Sequence, residues 1–184
     1  MPSRTSFSPK PPGGAVTREI GAGLGGLVGA GLAAGVLWLW PQAEMAVFAR
    51  GAASLAALLT GSPVERTDAG WLLAGAARPV VVSAACSATG YFLVVAALLG
   101  WRLGRGRGRS PRAVFLAPLI ALPVTLFVNA LRVVVLVHAH HWVIPRFPSA
   151  FGPFLHLLAG VAIFLPALIA LNLLLEYHGY RRLR

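Results

Sequence analysis

The sequence predicts an all-α membrane protein: a bundle of about four transmembrane helices with an interfacial helix and a small extracytoplasmic segment. Of the 184 residues, 57% are hydrophobic and only 11% are charged, whereas a soluble domain carries about 25% charged residues. The chain also contains several apolar runs that approach the roughly 20 residues needed to cross a bilayer. So few charges cannot cover a soluble core, and the length suffices for one domain.

Four apolar segments are the predicted spans, and they lie between two polar tails. Residues 1–18 are rich in Pro, Ser and Gly and are expected to form a disordered cytoplasmic tail. Residues 19–176 are predicted to form the transmembrane domain, and residues 177–184 a basic cytoplasmic tail. The predicted spans are Ile20–Trp40, Ser87–Trp101, Ala113–Val137 and Phe154–Leu175.

The segment between the first and second spans is more polar than the spans themselves. Gln42–Thr60 is apolar in places but carries Glu44 and Arg50, so we interpret it as a helix lying in the membrane interface. A further span is the alternative. Beyond it, Val64–Thr67 and Pro79–Val82 are predicted to pair as two short strands around a turn. This polar stretch is the predicted extracytoplasmic segment.

The basic residues predict the orientation of the bundle. The formal net charge is +11, and the arginines cluster at the ends of apolar runs, where basic residues mark the cytoplasmic side and contact lipid headgroups. With the N-terminus inside, the three most basic segments are all cytoplasmic: residues 1–18, 102–112 and 177–184. We therefore expect a multi-pass protein of the cell membrane whose site faces the outside or the periplasm. Nucleic-acid binding is disfavoured because aromatic residues do not alternate with the basic clusters.

Three chemically notable side chains are expected at the same depth, near the outer ends of the spans. Cys86 precedes the second span, Arg132 lies in the outer part of the third, and His156 begins the fourth. Cys86 is the only cysteine, which excludes an intrachain disulfide and paired-cysteine redox chemistry. A helix N-terminus, which Ser83 is expected to cap, and a nearby cation both favour a reactive thiolate. A Cys–His pair with a third, charge-stabilising group suits acyl transfer.

Each of these residues also has a structural interpretation. A lone cysteine in an apolar helix is usually a small buried hydrophobe, and His156 at an interface can cap a helix or reach headgroups. Arg132 is the strongest functional candidate because an arginine within a span is costly, although it too can reach the outer surface. Asn129 shares its helix face and either orients Arg132 or hydrogen-bonds a neighbouring helix. Thr125 and Leu136 continue this face.

At these positions the sequence resembles the exosortase/archaeosortase family. The resemblance covers roughly Val80–Leu175 and rests on three short blocks in the family's order. The blocks are Ala85-Cys86-Ser87-Ala88 at a span start, Asn129-Ala130-Leu131-Arg132, matching Asn-x-x-Arg, and His156-Leu157-Leu158-Ala159-Gly160, matching His-x-x-x-Gly. Ala88 departs from the pattern, since the family often has glycine there. The short chain is similar to compact members such as exosortase K.

The resemblance implies a membrane-embedded cysteine protease or transpeptidase that acts at the extracytoplasmic face. Its substrates would be proteins with a C-terminal motif, a transmembrane helix and a basic tail, cleaved by hydrolysis or transferred to an amine. By carry-over, Cys86 is the nucleophile, and Arg132 and His156 complete the catalytic site. Supporting or substrate-binding roles fall to Ser87, Asn129 and Gly160. No cofactor or metal is implied, and the expected partners are the substrates and membrane lipids.

Two other functions fit parts of the sequence. Imidazoles bind Zn, Cu or Fe, so a histidine-ligated metal or haem protein is one alternative, although no carboxylate accompanies the histidines near the outer edge. These are His138, His140, His141 and His156. A non-catalytic scaffold or transporter subunit is the other, because prolines interrupt the spans at Pro118, Pro123 and Pro166. Metal analysis tests the first alternative, and alanine substitution of the three candidate catalytic residues tests the second.

Overall fold

The structure, a computed structural model, describes residues 27–40, 42–74, 79–104, 112–142 and 152–181. The predicted tail at residues 1–18 lies outside this part, as do the last three residues of the predicted basic tail. The elements are α1 (Leu27–Leu39), a π-helical segment (Glu44–Ala49), α2 (Arg50–Thr60), β1 (Val64–Thr67), β2 (Gly70–Leu73), β3 (Val80–Val82), a 3₁₀ turn (Ala84–Cys86), α3 (Thr89–Gly104), α4 (Arg112–Trp142) and α5 (Gly152–Arg181).

Three helical segments confirm the second, third and fourth predicted spans. Ala84–Leu103, Phe115–Ala139 and Phe154–Tyr177 are each long and apolar enough to cross a membrane. Since α5 continues to Arg181, residues 177–181 of the predicted basic tail are helical. The predicted class, an all-α membrane protein, is therefore confirmed.

The first predicted span is described only in part, because residues 20–26 lie outside the described residues. The described helix α1 is too short to cross a bilayer alone. It meets the helical segment Glu44–Thr60 at a bend of 102°, and together they form either one broken span or a re-entrant loop. The described residues therefore contain three spans, or four if this bent pair is one. Placement of residues 42–60 in the interface stays a prediction. A Cβ added at Gly31 or Gly35 would have no other atom within 4 Å, so the space beside these two glycines of α1 is open among the described residues.

The small sheet differs from the prediction in its pairing. Its strands lie antiparallel in the order β1-β2-β3, so the prediction that Val64–Thr67 pairs with Pro79–Val82 was wrong. Gly70–Leu73 lies between them because the chain reverses directly after β1 and pairs with it at once. Gly70 permits this arrangement: with a φ of +145°, its Cα lies so close to the Val82 carbonyl that a Cβ would collide with it.

α4 is the central element of the bundle, and it packs against α2, α3 and α5. One cluster of buried side chains joins α2, the sheet, the turn at Cys86 and α4, and it includes Leu73 and Val82. A second cluster joins the π-helical segment, α3 and α4. In it Phe48 and Phe92 meet edge to face with ring centroids 5.3 Å apart. Cys86 therefore lies where α2, the sheet and α4 meet.

Candidate functional site

One face of α4 is buried in the bundle, and it holds the residues that the spacing placed on a common face. It carries Thr125, Asn129, Arg132 and Leu136. The amide nitrogen of Asn129 donates a hydrogen bond of 2.6 Å to the backbone carbonyl of Cys86. Of the two roles predicted for Asn129, the structure thus supports contact with a neighbouring segment. The Asn129 amide nitrogen ties the turn at Cys86 to α4, three residues before Arg132.

Cys86 ends a tight 3₁₀ turn and is only 7% exposed. Its backbone N–H donates to the Ser83 carbonyl at 2.9 Å, but the Ser83 side chain makes no capping hydrogen bond. The long helix α3 begins later, at Thr89. The prediction that Ser83 caps the helix carrying Cys86 was therefore wrong. Ala88, which has a positive φ, lies between the turn and α3 and separates the two helical segments.

Ala88 holds a backbone conformation that favours glycine. Its φ is +56°, and no other described non-glycine residue has a positive φ. This left-handed conformation costs an L-residue with a Cβ about 1–2 kcal/mol. The Ala88 carbonyl accepts a hydrogen bond from the Phe92 N–H at 3.0 Å, so Ala88 caps the start of α3. Strain of this kind persists only where neighbouring contacts fix the backbone, and it is common beside functional groups.

Replacing Ala88 with glycine is expected to raise the free energy of unfolding by up to about 1 kcal/mol, because relief of the left-handed strain exceeds the entropy cost of glycine. Ala88→Val is expected to lower it, since a β-branched residue is a stronger outlier at positive φ. Ala84→Gly is the matched control and should destabilise by about 0.5–1 kcal/mol, as glycine does where φ is ordinary. Thermal unfolding in detergent measures all three, and equal destabilisation by Ala88→Gly and Ala84→Gly would contradict the assignment.

Arg132 links α4 to the beginning of α5 and is only 9% exposed. Its Nη2 donates to the backbone carbonyl of His156 at 3.2 Å, and its guanidinium carbon lies 5.3 Å from the centre of the Phe164 ring. Gly160 lies beside it, where a Cβ would be 3.6 Å from Nε. The hydrogen bond to the His156 carbonyl and the attraction of the positive charge to the Phe164 ring together fix the plane of the Arg132 guanidinium. The Arg132 Nε is buried and has no hydrogen-bond partner among the described residues.

Arg132 and His156 share a cleft of about 450 Å³ between α3, α4 and α5. Tyr91 and Phe164 form one side, with their rings stacked at a centroid distance of 4.5 Å. The remaining lining residues are mostly aliphatic: Val94, Leu157, Gly160, Val161, Leu165 and Leu168. Among the described residues that line this cleft, Cys86 does not appear. The structure thus brings Arg132 to His156 and Asn129 to Cys86, with α4 connecting the two pairs.

A hydrogen-bond chain joins the residue after Cys86 to the π-helical segment. The hydroxyl oxygens of Ser87 and Thr89 are 2.7 Å apart, and Thr89 donates to a carboxylate oxygen of Glu44 at 3.0 Å. Since the single hydroxyl hydrogen of Thr89 goes to Glu44, Ser87 is the donor to Thr89. The sequence did not predict this link, because Glu44 and Thr89 are 45 residues apart and share no motif.

A second polar cluster joins α3 and α5 at their other ends. Arg102 Nη2 forms an ion pair with Glu176 Oε1 at 2.6 Å and donates to Asn172 Oδ1 at 2.7 Å. The sequence contained a signal for it that the predictions did not use. Asn172 and Glu176 are four residues apart in an apolar helix, and polar groups so placed usually pair with another helix.

The histidine-based alternative gains no support from the part of the chain that the structure describes. Within that part, no three His, Cys, Asp or Glu side chains are grouped so that they could hold a metal ion. His138 lies exposed near the end of α4. The side chains of His140 and His141 fall outside the described residues, so their part in that hypothesis stays a prediction.

The chain is similar to one known family over most of its length. Residues 16–173 match the transmembrane exosortase family. No curated protein and no solved structure matches the chain. The matched range includes the turn at Cys86, the buried face of α4 and most of α5. The match does not distinguish subtypes of the family, so the similarity to exosortase K stays a prediction.

Proposed function

Because the chain belongs to the transmembrane exosortase family, which implies a membrane-embedded sorting transpeptidase, we propose that it uses Cys86 as its nucleophile. In this proposal Arg132 and His156 complete the catalytic site. The observation that carries it is the pair of contacts from α4: Asn129 to the Cys86 carbonyl and Arg132 to the His156 carbonyl. One rigid helix thereby fixes both segments that hold the reactive groups.

The proposed reaction proceeds through a thioester. His156 takes the proton of the Cys86 thiol, and the thiolate attacks the scissile carbonyl carbon of the substrate, forming a C–S bond. The C–N bond to the leaving amine then breaks, and His156 gives its proton to that amine. Water or an acceptor amine next attacks the thioester, the C–S bond breaks, and the proton lost by the attacking group returns through His156 to the sulfur.

Arg132 supplies the positive charge for the oxyanion that forms during both steps. A fixed donor in a site that excludes water stabilises such a charge far more than the same group does in solvent. Two buried polar hydrogens at the cleft, on Arg132 Nε and Tyr91 Oη, have no acceptor among the described residues. A carbonyl group of a bound peptide would satisfy them, which supports peptide binding at this cleft.

The substrate class follows from the chemistry of the cleft and the predicted topology. Leu157, Val161 and Leu165 line the cleft and are more than half exposed at the surface of α5, so an apolar helix can reach it from within the bilayer. We therefore propose substrates with a transmembrane helix that follows a short motif at the outer face. Their basic tails would lie on the cytoplasmic side, together with the predicted basic segments of this chain.

Trapping the acyl-enzyme tests this function directly. The full-length protein, in vesicles, is mixed with a candidate substrate from the same genome that ends in a motif, one span and an arginine cluster. Mass spectrometry of the quenched mixture is expected to show the substrate fragment attached to the peptide that contains Cys86, and hydroxylamine should remove it, as it removes thioesters. Cleavage that continues after complete alkylation of Cys86 would overturn the proposal.

A further inference from the structure

The turn that carries Cys86 is held from two directions. On one side, Asn129 binds the Cys86 carbonyl at 2.6 Å. On the other, Ser87 and Thr89 connect the turn to the Glu44 carboxylate through hydrogen bonds of 2.7 and 3.0 Å. Between these two attachments lies the strained Ala88, which needs such support to keep its positive φ.

Glu44 is an unusual residue in its surroundings. The chain has only five acidic residues, and Glu44 is half-buried and accepts a hydrogen bond from Thr89, which is 45 residues away. Glu44 begins the π-helical segment Glu44–Ala49, and π-helical turns are rare and concentrate at functional sites. That segment packs against the 3₁₀ turn Ala84–Cys86. The packing of the two backbone segments and the hydrogen bond from Thr89 thus both place Glu44 beside the turn that carries Cys86.

We propose that Glu44 is a positioning residue for Cys86, acting through the hydroxyl groups of Thr89 and Ser87. Glu44 accepts the hydrogen bond of Thr89, Thr89 accepts that of Ser87, and the chain of bonds fixes the Cys86-Ser87-Ala88 backbone. The effect of Glu44 on catalysis rests on the proposed role of Cys86, whereas the effect of Glu44 on the turn does not. Glu44 has no contact with the substrate in this proposal.

The test compares substitutions that break this chain of bonds with substitutions that keep it. Glu44→Ala and Thr89→Val remove the acceptor or the hydroxyl, whereas Glu44→Gln and Thr89→Ser retain an oxygen that can make the same bond. Thr60→Val is the control, since the Thr60 hydroxyl donates to the Ala56 carbonyl at 2.9 Å, away from Cys86. Because Cys86 is the only cysteine, the rate of labelling by N-ethylmaleimide reports on that turn alone.

We expect Glu44→Ala and Thr89→Val each to raise the labelling rate about fivefold, because loss of the bond lets the buried turn open more often. The double variant should label no faster than either single variant, since both remove the same connection. Glu44→Gln, Thr89→Ser and Thr60→Val should label at the rate of the unmodified protein. In substrate processing, kcat should fall about tenfold for Glu44→Ala while KM is unchanged.

Two results would overturn the inference. One is a labelling rate that Glu44→Ala leaves unchanged, because the turn then does not depend on Glu44. The other is equal behaviour of Glu44→Gln and Glu44→Ala, since a neutral acceptor is sufficient for the proposed bond. Labelling requires no substrate, so a failure of the peptidase proposal and a failure of this inference give different results.

Discussion

Replacing Cys86 with alanine is expected to lower the rate of substrate processing at least about a thousandfold, because no thioester can form without the sulfur. The fold should survive, since the Cys86 side chain behaves as a small buried hydrophobe within its cluster. We expect the free energy of unfolding to fall by no more than about 1 kcal/mol. Processing of a candidate substrate and thermal unfolding of the purified variant measure the two effects.

Val82→Ala is the matched control for this prediction. Val82 belongs to the same buried cluster as Cys86 but has no role in the proposed chemistry. Its substitution should destabilise the protein by about 1–2 kcal/mol and leave the processing rate of the folded protein close to that of the unmodified chain. If Cys86→Ala processes substrate at a rate within tenfold of the unmodified protein, Cys86 is not the nucleophile.

Replacing Arg132 with methionine is expected to lower kcat about 100- to 1,000-fold, the usual loss when a donor to an oxyanion is removed. Methionine keeps most of the apolar volume but leaves the His156 carbonyl without the bond of 3.2 Å that Arg132 donates. Arg132→Lys should retain part of the activity, since it keeps the charge but not the planar guanidinium that lies over Phe164. Steady-state processing in vesicles measures both variants.

Arg102→Met separates this effect from the general cost of losing an arginine that links two helices of the bundle. Arg102 also lies in a span and pairs with Glu176 at 2.6 Å, but it is at the other end of α3 from Cys86. We expect Arg102→Met to lower the thermal midpoint and to leave kcat of the folded protein unchanged. Equal losses of kcat for Arg102→Met and Arg132→Met would show that Arg132 acts only through stability.

The long spans could be predicted because hydrophobic length is a local property of the sequence. Phe115–Ala139 and Phe154–Tyr177 needed no information from the rest of the chain. The sheet could not be predicted in the same way, since strand pairing depends on segments distant in sequence. Gly70–Leu73 occupies the central position because the tight turn after β1 places it beside that strand.

The same difference between local pattern and distant contact applies to the candidate site. The spacing of Asn129 and Arg132 predicted that both lie on one face of α4, and the structure shows that this face is buried. It did not predict which neighbour each would contact, because helical periodicity gives the direction of a side chain but not its partner. The positive φ of Ala88 had one indication in the sequence, because the family often has glycine at this position and glycine adopts a positive φ readily.

The two connections between α3 and α5 are of different kinds, and neither is strong. At one end, Arg102 and Glu176 form an ion pair of 2.6 Å, but their side chains are 27% and 43% exposed, and such a partly exposed pair contributes about 0–1 kcal/mol. At the other, Tyr91 and Phe164 stack, and such a pair contributes about 0.5–1.5 kcal/mol beyond its buried area. The position of α5 therefore depends mainly on its packing against α4. A change on the face of α4 that contacts α5 should thus alter the cleft more than a change at either connection.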